Sequence, residues 1–167
     1  MNAEVYLGLG GNLGTPKETF EKALHLMSDF VIIEKISSLY KSSPFGYTDQ
    51  PPFINAAVQI KTESPPLELL SQLQIIEKKL GKKVIHTNGP RIIDIDLLVY
   101  QEFTLELENL TLPHPGILDR DFVLLPMLDL NPTLTQPAWG SETLKSALSG
   151  LQKRLIMDKP EDWDYKI

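Results

Sequence analysis

Cysteine is absent from the chain, which excludes disulfides and thiolate metal sites and fits a reducing compartment. Long apolar runs are missing too: none approaches the roughly 20 residues that cross a bilayer, so no membrane partner is expected. The opening Met-Asn-Ala-Glu-Val carries no basic segment leading into an apolar one, so no secretory signal is read and a cytoplasmic location is expected. Positive charge is in short supply. The formal net charge of −6 disfavours a broad nucleic-acid surface, which needs clustered Lys and Arg, and no nucleic-acid partner is expected. The three histidines form no cluster that would suggest zinc. Neither an internal repeat nor a low-complexity tract is present.

What is there is ordinary in bulk: 167 residues, 42% hydrophobic and 23% charged, enough for one domain with a real core. A single domain over residues 1–167 is expected, with a core over about 3–130 and an extension over about 131–167. The distribution of basic residues is less ordinary. Lys78, Lys79, Lys82, Lys83 and Arg91 fall within fourteen residues that hold no acid. Such a patch on an acidic protein suits a small anion, although Lys78 and Lys79 read equally as the solvated end of a helix, where cations are favoured.

The segments announce themselves by period and punctuation. "EVYLGLGG" is an apolar strand that runs into glycines. "TPKETFEKALHLM" reads as a helix with Thr15 as N-cap, Pro16 at N1 and Glu18 completing a capping box; Phe20, Ala23, Leu24 and Met27 form its apolar face. "FVIIEKISSLY" and "FINAAVQIKT" read as second and third strands. "SPPLELLSQLQIIEKKLG" is a second helix, with a Ser64 cap, Pro65 at N1, a stripe of Leu69, Leu73, Ile76 and Leu80, and Gly81 as stop. "RIIDIDLLVY" is the fourth strand. A short extended arm, an apolar helical segment and a last helix with Leu144, Ala147, Leu148 and Leu151 on one face follow. The tail from Met157 mixes charges and aromatics. The predicted fold is α+β, a ferredoxin-like βαββαβ sandwich with a C-terminal helical extension.

That order has a geometric consequence. If the first strand runs upward, "GGNLG", "KSSPFGYTDQPP" and "GKKVIHTNGP" all lie at the top, and so does the start of the fourth strand. Two of these loops are long, as functional loops in compact domains often are. They converge on Asp94 and Asp96. Alternation puts those two on one face of the strand, about 6.5–7 Å apart at Cα. Two carboxylates so placed can converge on one cation or hold a pair; without a cation they repel, and burial raises at least one pKa. The plainer alternative pairs one of them with Arg91 and leaves the other facing water. Anion-binding groups beside paired acids favour a metal-bridged polyphosphate.

Other features are weaker alone. "GLGGNLG" resembles a dinucleotide fingerprint, but Leu13 stands where the third glycine would be needed, and no P-loop occurs. Phe53 and Asn55 share the face of the third strand opposite Ile54, Ala56, Val58 and Ile60. An amide beside an aromatic ring could read the edge of a stacked heterocycle, or could simply bond nearby backbone. His114 could meet a phosphate or shape a Pro-flanked turn, and His25 reads as surface.

Taken together, "SPFG…DQPPFINAAV", Gln74 with Glu77, "GPRIIDIDLL" and "LPHPG" followed by "RDF" resemble the 6-hydroxymethyl-7,8-dihydropterin pyrophosphokinase family over most of the first 130 residues. The resemblance implies ATP-dependent transfer of a pyrophosphoryl group to the pterin hydroxymethyl oxygen in folate biosynthesis, releasing AMP. It implies two Mg²⁺ ions on Asp94 and Asp96. Gln74, Glu77, Lys82, Arg91, Thr111, His114 and Arg120 match ATP positions, with Arg91, Asp94, Asp96 and Lys82 as the catalytic set. Ser42, Pro44, Phe45, Phe53, Asn55 and Phe122 match the pterin slot. Hydroxymethyldihydropterin and ATP are the implied partners, with association with other folate-pathway enzymes as a further expectation. The chain departs from the family pattern at Val84, Thr87, Asn88, Asn109 and Pro115, and Lys82 stands where an arginine is common. Two other readings remain open: a ligand- or RNA-binding ferredoxin-like module, and a nucleotide binder with weak activity.

Overall fold

Eight strands and four α-helices make up the residues that the computed structural model describes, 2–83 and 86–167. Val84, one of the departures named above, lies outside them. In chain order the elements are β1 (Ala3–Gly11), α1 (Pro16–Met27), β2 (Ile32–Ile36), β3 (Leu39–Ser42), β4 (Phe53–Thr62), α2 (Pro66–Lys79) and β5 (Asp94–Tyr100). A hairpin of β6 (Leu105–Glu106) and β7 (Thr111–Leu112) follows, then α3 (Asp121–Leu130), a 3-10 turn at Pro137–Trp139, α4 (Leu144–Gly150) and β8 (Ile156–Glu161). The main sheet is antiparallel in the order β5-β1-β4-β3-β8, with β2 also on β4. With β2 and β3 taken as one interrupted strand, this is the expected ferredoxin-like arrangement.

Each sheet face has its own apolar cluster. On one, Val5, Leu7 and Leu9 of β1 and Ala56, Val58 and Ile60 of β4 pack against Phe20, Leu24 and Met27 of α1 and Leu69, Leu73 and Ile76 of α2. On the other, Tyr6, Ala57, Leu98 and Val99 meet Leu124, Met127 and Leu130 of α3 and Leu144 and Ala147 of α4. The C-terminal helices therefore add a third layer, and every fully buried Leu, Met or Phe in these seams contributes about 1.5–3 kcal/mol. The layer stops short of the upper end of the sheet, where the second face is left open.

Several local expectations need correction. The predicted second strand breaks at Ser37, whose hydroxyl accepts the Ala57 N–H at 2.8 Å and so interrupts the regular ladder. Thr15 is the N-cap of α1, but its side chain makes no capping bond and the box with Glu18 is not formed. Pro16 presets the first turn and has no N–H to satisfy. In α2 Pro65, not Ser64, is the N-cap. The Ser64 hydroxyl is taken by Gln72 at 3.0 Å. The fourth predicted strand begins at Asp94, and a register shift opposite Tyr6 and Leu7 moves Val99 onto the α3 face and Tyr100 onto the α1/α2 face, reversing the simple alternation after Leu98.

The largest departure is the tail. The tail, read from sequence only as a mix of charges and aromatics, forms β8 on the edge of β3, and Trp163 is buried beyond it. Its indole N–H donates to the Ser37 carbonyl at 2.6 Å and its ring meets Phe20 edge-on at 6.2 Å.

Candidate active site

The open end of the second face has a floor built in register across three strands. Asp96, Gly8 and Ala57 form one row, and Asp94, Gly10 and Asn55 the next, on β5, β1 and β4 respectively. Glycine in the middle of each row leaves a trough between the carboxylates and the amide. A Cβ on Gly8 would come within 3.3 Å of Leu98, and one on Gly10 within 3.7 Å of the Asn55 Oδ1. The strand glycines thus keep ligand space open, a role distinct from phosphate cradling. The trough is further lined by Ser42, Phe45, Phe53, Arg91, Arg120 and Phe122.

On the carboxylate side, Lys82 Nζ lies 2.7 Å from Asp94 Oδ1 and 2.9 Å from Glu77 Oε2. Burial opposes the ammonium charge, but these two bonds outweigh it and hold the Lys82 pKa above its ordinary value. Glu77 is buried on α2, and the same Oε2 accepts the Ile95 N–H at 2.8 Å, closing part of the outer edge of β5. Burial pushes its pKa up, against the pull of that N–H and of Lys82. Arg91 Nε stands 3.7 Å from Asp94 Oδ1. Asp96 faces the trough with solvent access, yet crowding by protein, reinforced by the neighbouring Asp94 charge, pushes its pKa up to about 6. The pairing of one acid is therefore with Lys82 first and Arg91 second.

On the opposite side Asn55 is buried and donates to the Tyr40 carbonyl at 3.1 Å and to the Ser42 hydroxyl at 2.8 Å. A carbonyl can only accept, so the amide nitrogen is committed there and Oδ1 is what the side chain offers the trough. Phe45 and Phe122 approach at 6.4 Å between ring centroids, and the Arg120 guanidinium lies 4.9 Å from the Phe45 ring centre.

The three loops do converge, through Asn12 and Gln50, which the sequence reading did not single out. Asn12 donates to Gln50 Oε1 and to the Pro51 carbonyl, both at 2.9 Å, and accepts the Arg91 N–H at 2.9 Å. Gln50 in turn donates to the Tyr47 and Asn88 carbonyls at 2.6 Å each. Asn and Gln standing beside glycine and proline in all three loops were the available signal. Gly11 permits the closest approach: a Cβ there would sit 2.5 Å from the Ile92 carbonyl oxygen. The Arg91 side chain is held by the His86, Gly89 and Pro90 carbonyls at 3.1–3.2 Å.

A second cleft meets the first at Asp96 and is lined by Leu70, Thr111, His114 and Pro115. His114 Nδ1 accepts the Gly116 N–H at 3.0 Å, which puts the ring proton of the neutral tautomer on Nε2, and burial with the Arg120 charge keeps the imidazole pKa low. Most residues predicted for the site therefore meet at one end of the sheet. Pro44 is half-buried beside the trough without lining it, and Gln74 is exposed on α2 and lines neither cleft. Glu77 is engaged in holding Ile95 and Lys82.

The donor set allows a test of fit for Mg²⁺. Among the described residues no group of three or more His, Cys, Asp and Glu could hold a metal ion. Two same-face carboxylates, Asp96 making no ion pair among the described residues, match an ion that takes one or two carboxylates and fills its shell with water and phosphate oxygens. Among the described residues no helix is long and apolar enough to cross a membrane.

The model of the family described as 7,8-dihydro-6-hydroxymethylpterin-pyrophosphokinase matches residues 6–132. The 2-amino-4-hydroxy-6-hydroxymethyldihydropteridine pyrophosphokinase of Aquifex aeolicus is 39% identical over 137 residues, 82% of this chain and 86% of that protein. The folic acid synthesis protein fol1 of Pneumocystis carinii is 41% identical over 140 residues, which are 83% of this chain but 19% of that protein. A solved Plasmodium falciparum HPPK-DHPS triple mutant superposes with a TM-score of 0.73 at 18% identity, covering 89% of this chain and 43% of the other. The chain thus spans most of its bacterial relative and a fifth to less than half of the longer proteins it matches.

Proposed function

The chain belongs to the 7,8-dihydro-6-hydroxymethylpterin-pyrophosphokinase family, and from that premise we propose that the trough is where ATP yields its β,γ-pyrophosphoryl group to hydroxymethyldihydropterin. The enzyme is a transferase of folate biosynthesis: the pterin hydroxymethyl oxygen attacks the β-phosphorus and gives up its proton to solvent, the bond from that phosphorus to the α-phosphate oxygen breaks, and the pterin diphosphate and AMP leave.

The observation that carries this reading is the pair of rows Asp94–Gly10–Asn55 and Asp96–Gly8–Ala57, which set two carboxylates opposite a buried amide across a glycine trough. Asn55 Oδ1 accepts a hydrogen bond from an N–H on the edge of the pterin, while Phe45 and Phe122 flank the ring face. Arg91, Arg120 and Lys82 meet the phosphates, Lys82 as a point charge. His114 Nε2–H is a donor for the nucleotide on the far side of Asp96, with Thr111 beside it. Asp94 and Asp96 would hold Mg²⁺, which when bound neutralises the triphosphate and aligns the attacking and leaving oxygens. Lys82 must then exchange Asp94 for phosphate, with Glu77 keeping it in place. The folate synthesis bifunctional protein of Pisum sativum, 43% identical over 128 residues, supports association with a second folate-synthesis activity.

The test is AMP formation by the purified chain with ATP, Mg²⁺ and hydroxymethyldihydropterin. Stoichiometric AMP and pterin diphosphate, dependent on all three, is the expected result. ADP as the product, or AMP release indifferent to the pterin, refutes the assignment.

A further inference from the structure

Residues 133–167 lie beyond the stretch that the family model matches, yet part of them is wired into the walls of the trough. Asp121 opens α3, directly before Phe122, and is 2% exposed. Its Oδ2 accepts the Leu155 N–H at 2.8 Å and the Ile156 N–H at 2.9 Å. Leu155 in turn accepts, at its carbonyl, the Ser43 N–H at 2.8 Å and the Ser43 hydroxyl at 3.3 Å. Ile156 pairs with Ser42 at the start of β8. The connection therefore runs from α3, through the C-terminal strand, to the segment carrying Ser42 and Phe45. Phe122 and Phe45 stand at its two ends, both lining the trough, with ring centroids 6.4 Å apart.

A carboxylate buried this far is costly unless charge-assisted hydrogen bonds offset the lost water. Here Oδ2 has two such bonds and Oδ1 has no partner among the described residues. An acid at the first turn of a helix is favourable in an exposed position as well, so helix stability alone does not call for burial. Spacing does. The far end of α3 is tied to the same side by another acid, Asp129, whose Oδ2 accepts the Tyr40 hydroxyl at 2.8 Å and the Ser38 N–H at 3.1 Å. Two aspartates thus fix both ends of α3 against β3, one directly and one through the tail.

We propose that Asp121 is a positioning residue for the pterin: by holding the Leu155 and Ile156 amides, it uses the C-terminal strand as a spacer that sets how Phe122 stands relative to the segment carrying Ser42 and Phe45. The proposal rests on the assignment of the trough to the pterin. Displacements of about 1 Å in such walls decide whether a flat ring is held productively. Of the groups assigned to the nucleotide, β5, Lys82 and His114 share none of these contacts, while Arg120 adjoins them as the N-cap of α3.

The experiment titrates 6-hydroxymethylpterin into the full chain, by its fluorescence, with Mg²⁺ and a saturating non-hydrolysable ATP analogue, and titrates the analogue separately by calorimetry. Asp121→Ala is expected to weaken pterin binding about tenfold, the loss of a charge-assisted bond, while nucleotide affinity stays within about twofold. Asp121→Asn keeps an acceptor oxygen and should restore pterin affinity to within about threefold. Leu155→Pro removes one donor while leaving Asp121 and α3 untouched; it should reproduce the pterin-selective loss and decides the matter alone if Asp121→Ala does not fold. Unchanged pterin affinity in Leu155→Pro, or an equal loss for both ligands, overturns the proposal. If the unaltered chain binds neither ligand, the assignment of the trough fails first. If it binds both and the variants are neutral, only the spacer role fails.

Discussion

Asp94 and Asn55 face each other across Gly10 in environments of opposite kinds. The Asn55 donors are spent on Tyr40 and Ser42, so that wall is complete before any ligand arrives. The Asp94 wall is provisional: its carboxylate borrows Lys82, and that of Asp96 beside it makes no hydrogen bond or ion pair among the described residues and has a raised pKa. Recognition of a neutral ring asks for a fixed acceptor and rigid walls. Binding a highly charged triphosphate with cations asks for charges that can be exchanged, and a wall already satisfied would have to be undone.

The comparison breaks most visibly if the provisional wall is removed. Asp96→Ala and Asp94→Ala should each lower kcat by about 10³-fold or more, the scale of losing cation-borne charge stabilisation, while pterin affinity measured with nucleotide present changes far less. Steady-state AMP release checks the first part, and near-normal turnover would remove both residues from the catalytic set. Next in size, Asn55→Ala should weaken pterin binding about 30-fold, roughly 2 kcal/mol, and leave nucleotide binding unaltered by calorimetry. A parallel loss of both would mean that the walls are not independent.

Lys82→Met sharpens the contrast. With the competing ammonium gone, Mg²⁺ affinity in the absence of nucleotide should rise about threefold, while ATP-analogue affinity falls about tenfold. Two falls, or no change in the ion's affinity, would show that Lys82 does not compete at Asp94. The smallest effect concerns stability. Because the folded pKa of Asp96 is raised from 3.8 to about 6, the native state holds more protons than the unfolded chain between those values, so without divalent cation this group's contribution to stability falls as pH rises through that window. Asp96→Asn removes the penalty. At pH 7.5 it should raise stability by about 1 kcal/mol, discounted for the solvent that reaches the carboxylate, or Tm by about 2–4 °C, and the gap should close below pH 4.

Much of this was legible in sequence because it depends on period and order. The same-face placement of Asp94 and Asp96, of Phe53 and Asn55, and the meeting of three loops all follow from alternation along strands and from the βαββαβ order. What escaped depends on contacts between distant segments. Local chemistry gives no sign that Asn12 will join Gln50 and Arg91, and a tail of mixed charges gives little sign of an edge strand until β3 is there to pair with it. The swap of Val99 and Tyr100 comes from a bulge opposite Tyr6 and Leu7, a property of two strands together. The Thr15 capping box failed for a simpler reason: Pro16 already starts the helix. The paired glycines of "GLGG" were read against a nucleotide fingerprint, whereas their meaning was lateral, set by what flanks them on β5 and β4.

The bond from Ile95 N–H to Glu77 has a use beyond architecture. An outward amide on a margin of the sheet would ordinarily trade its hydrogen for deuterium quickly, but this one is latched by the carboxylate that also steadies Lys82. Its exchange rate is therefore a built-in gauge of the charged corner, readable by NMR without labelled substrate. When Lys82 turns from Asp94 to phosphate it stays on Glu77, and the filled corner steadies that carboxylate and with it the latch on Ile95. Slower exchange at that single amide would register the nucleotide's arrival before any product forms.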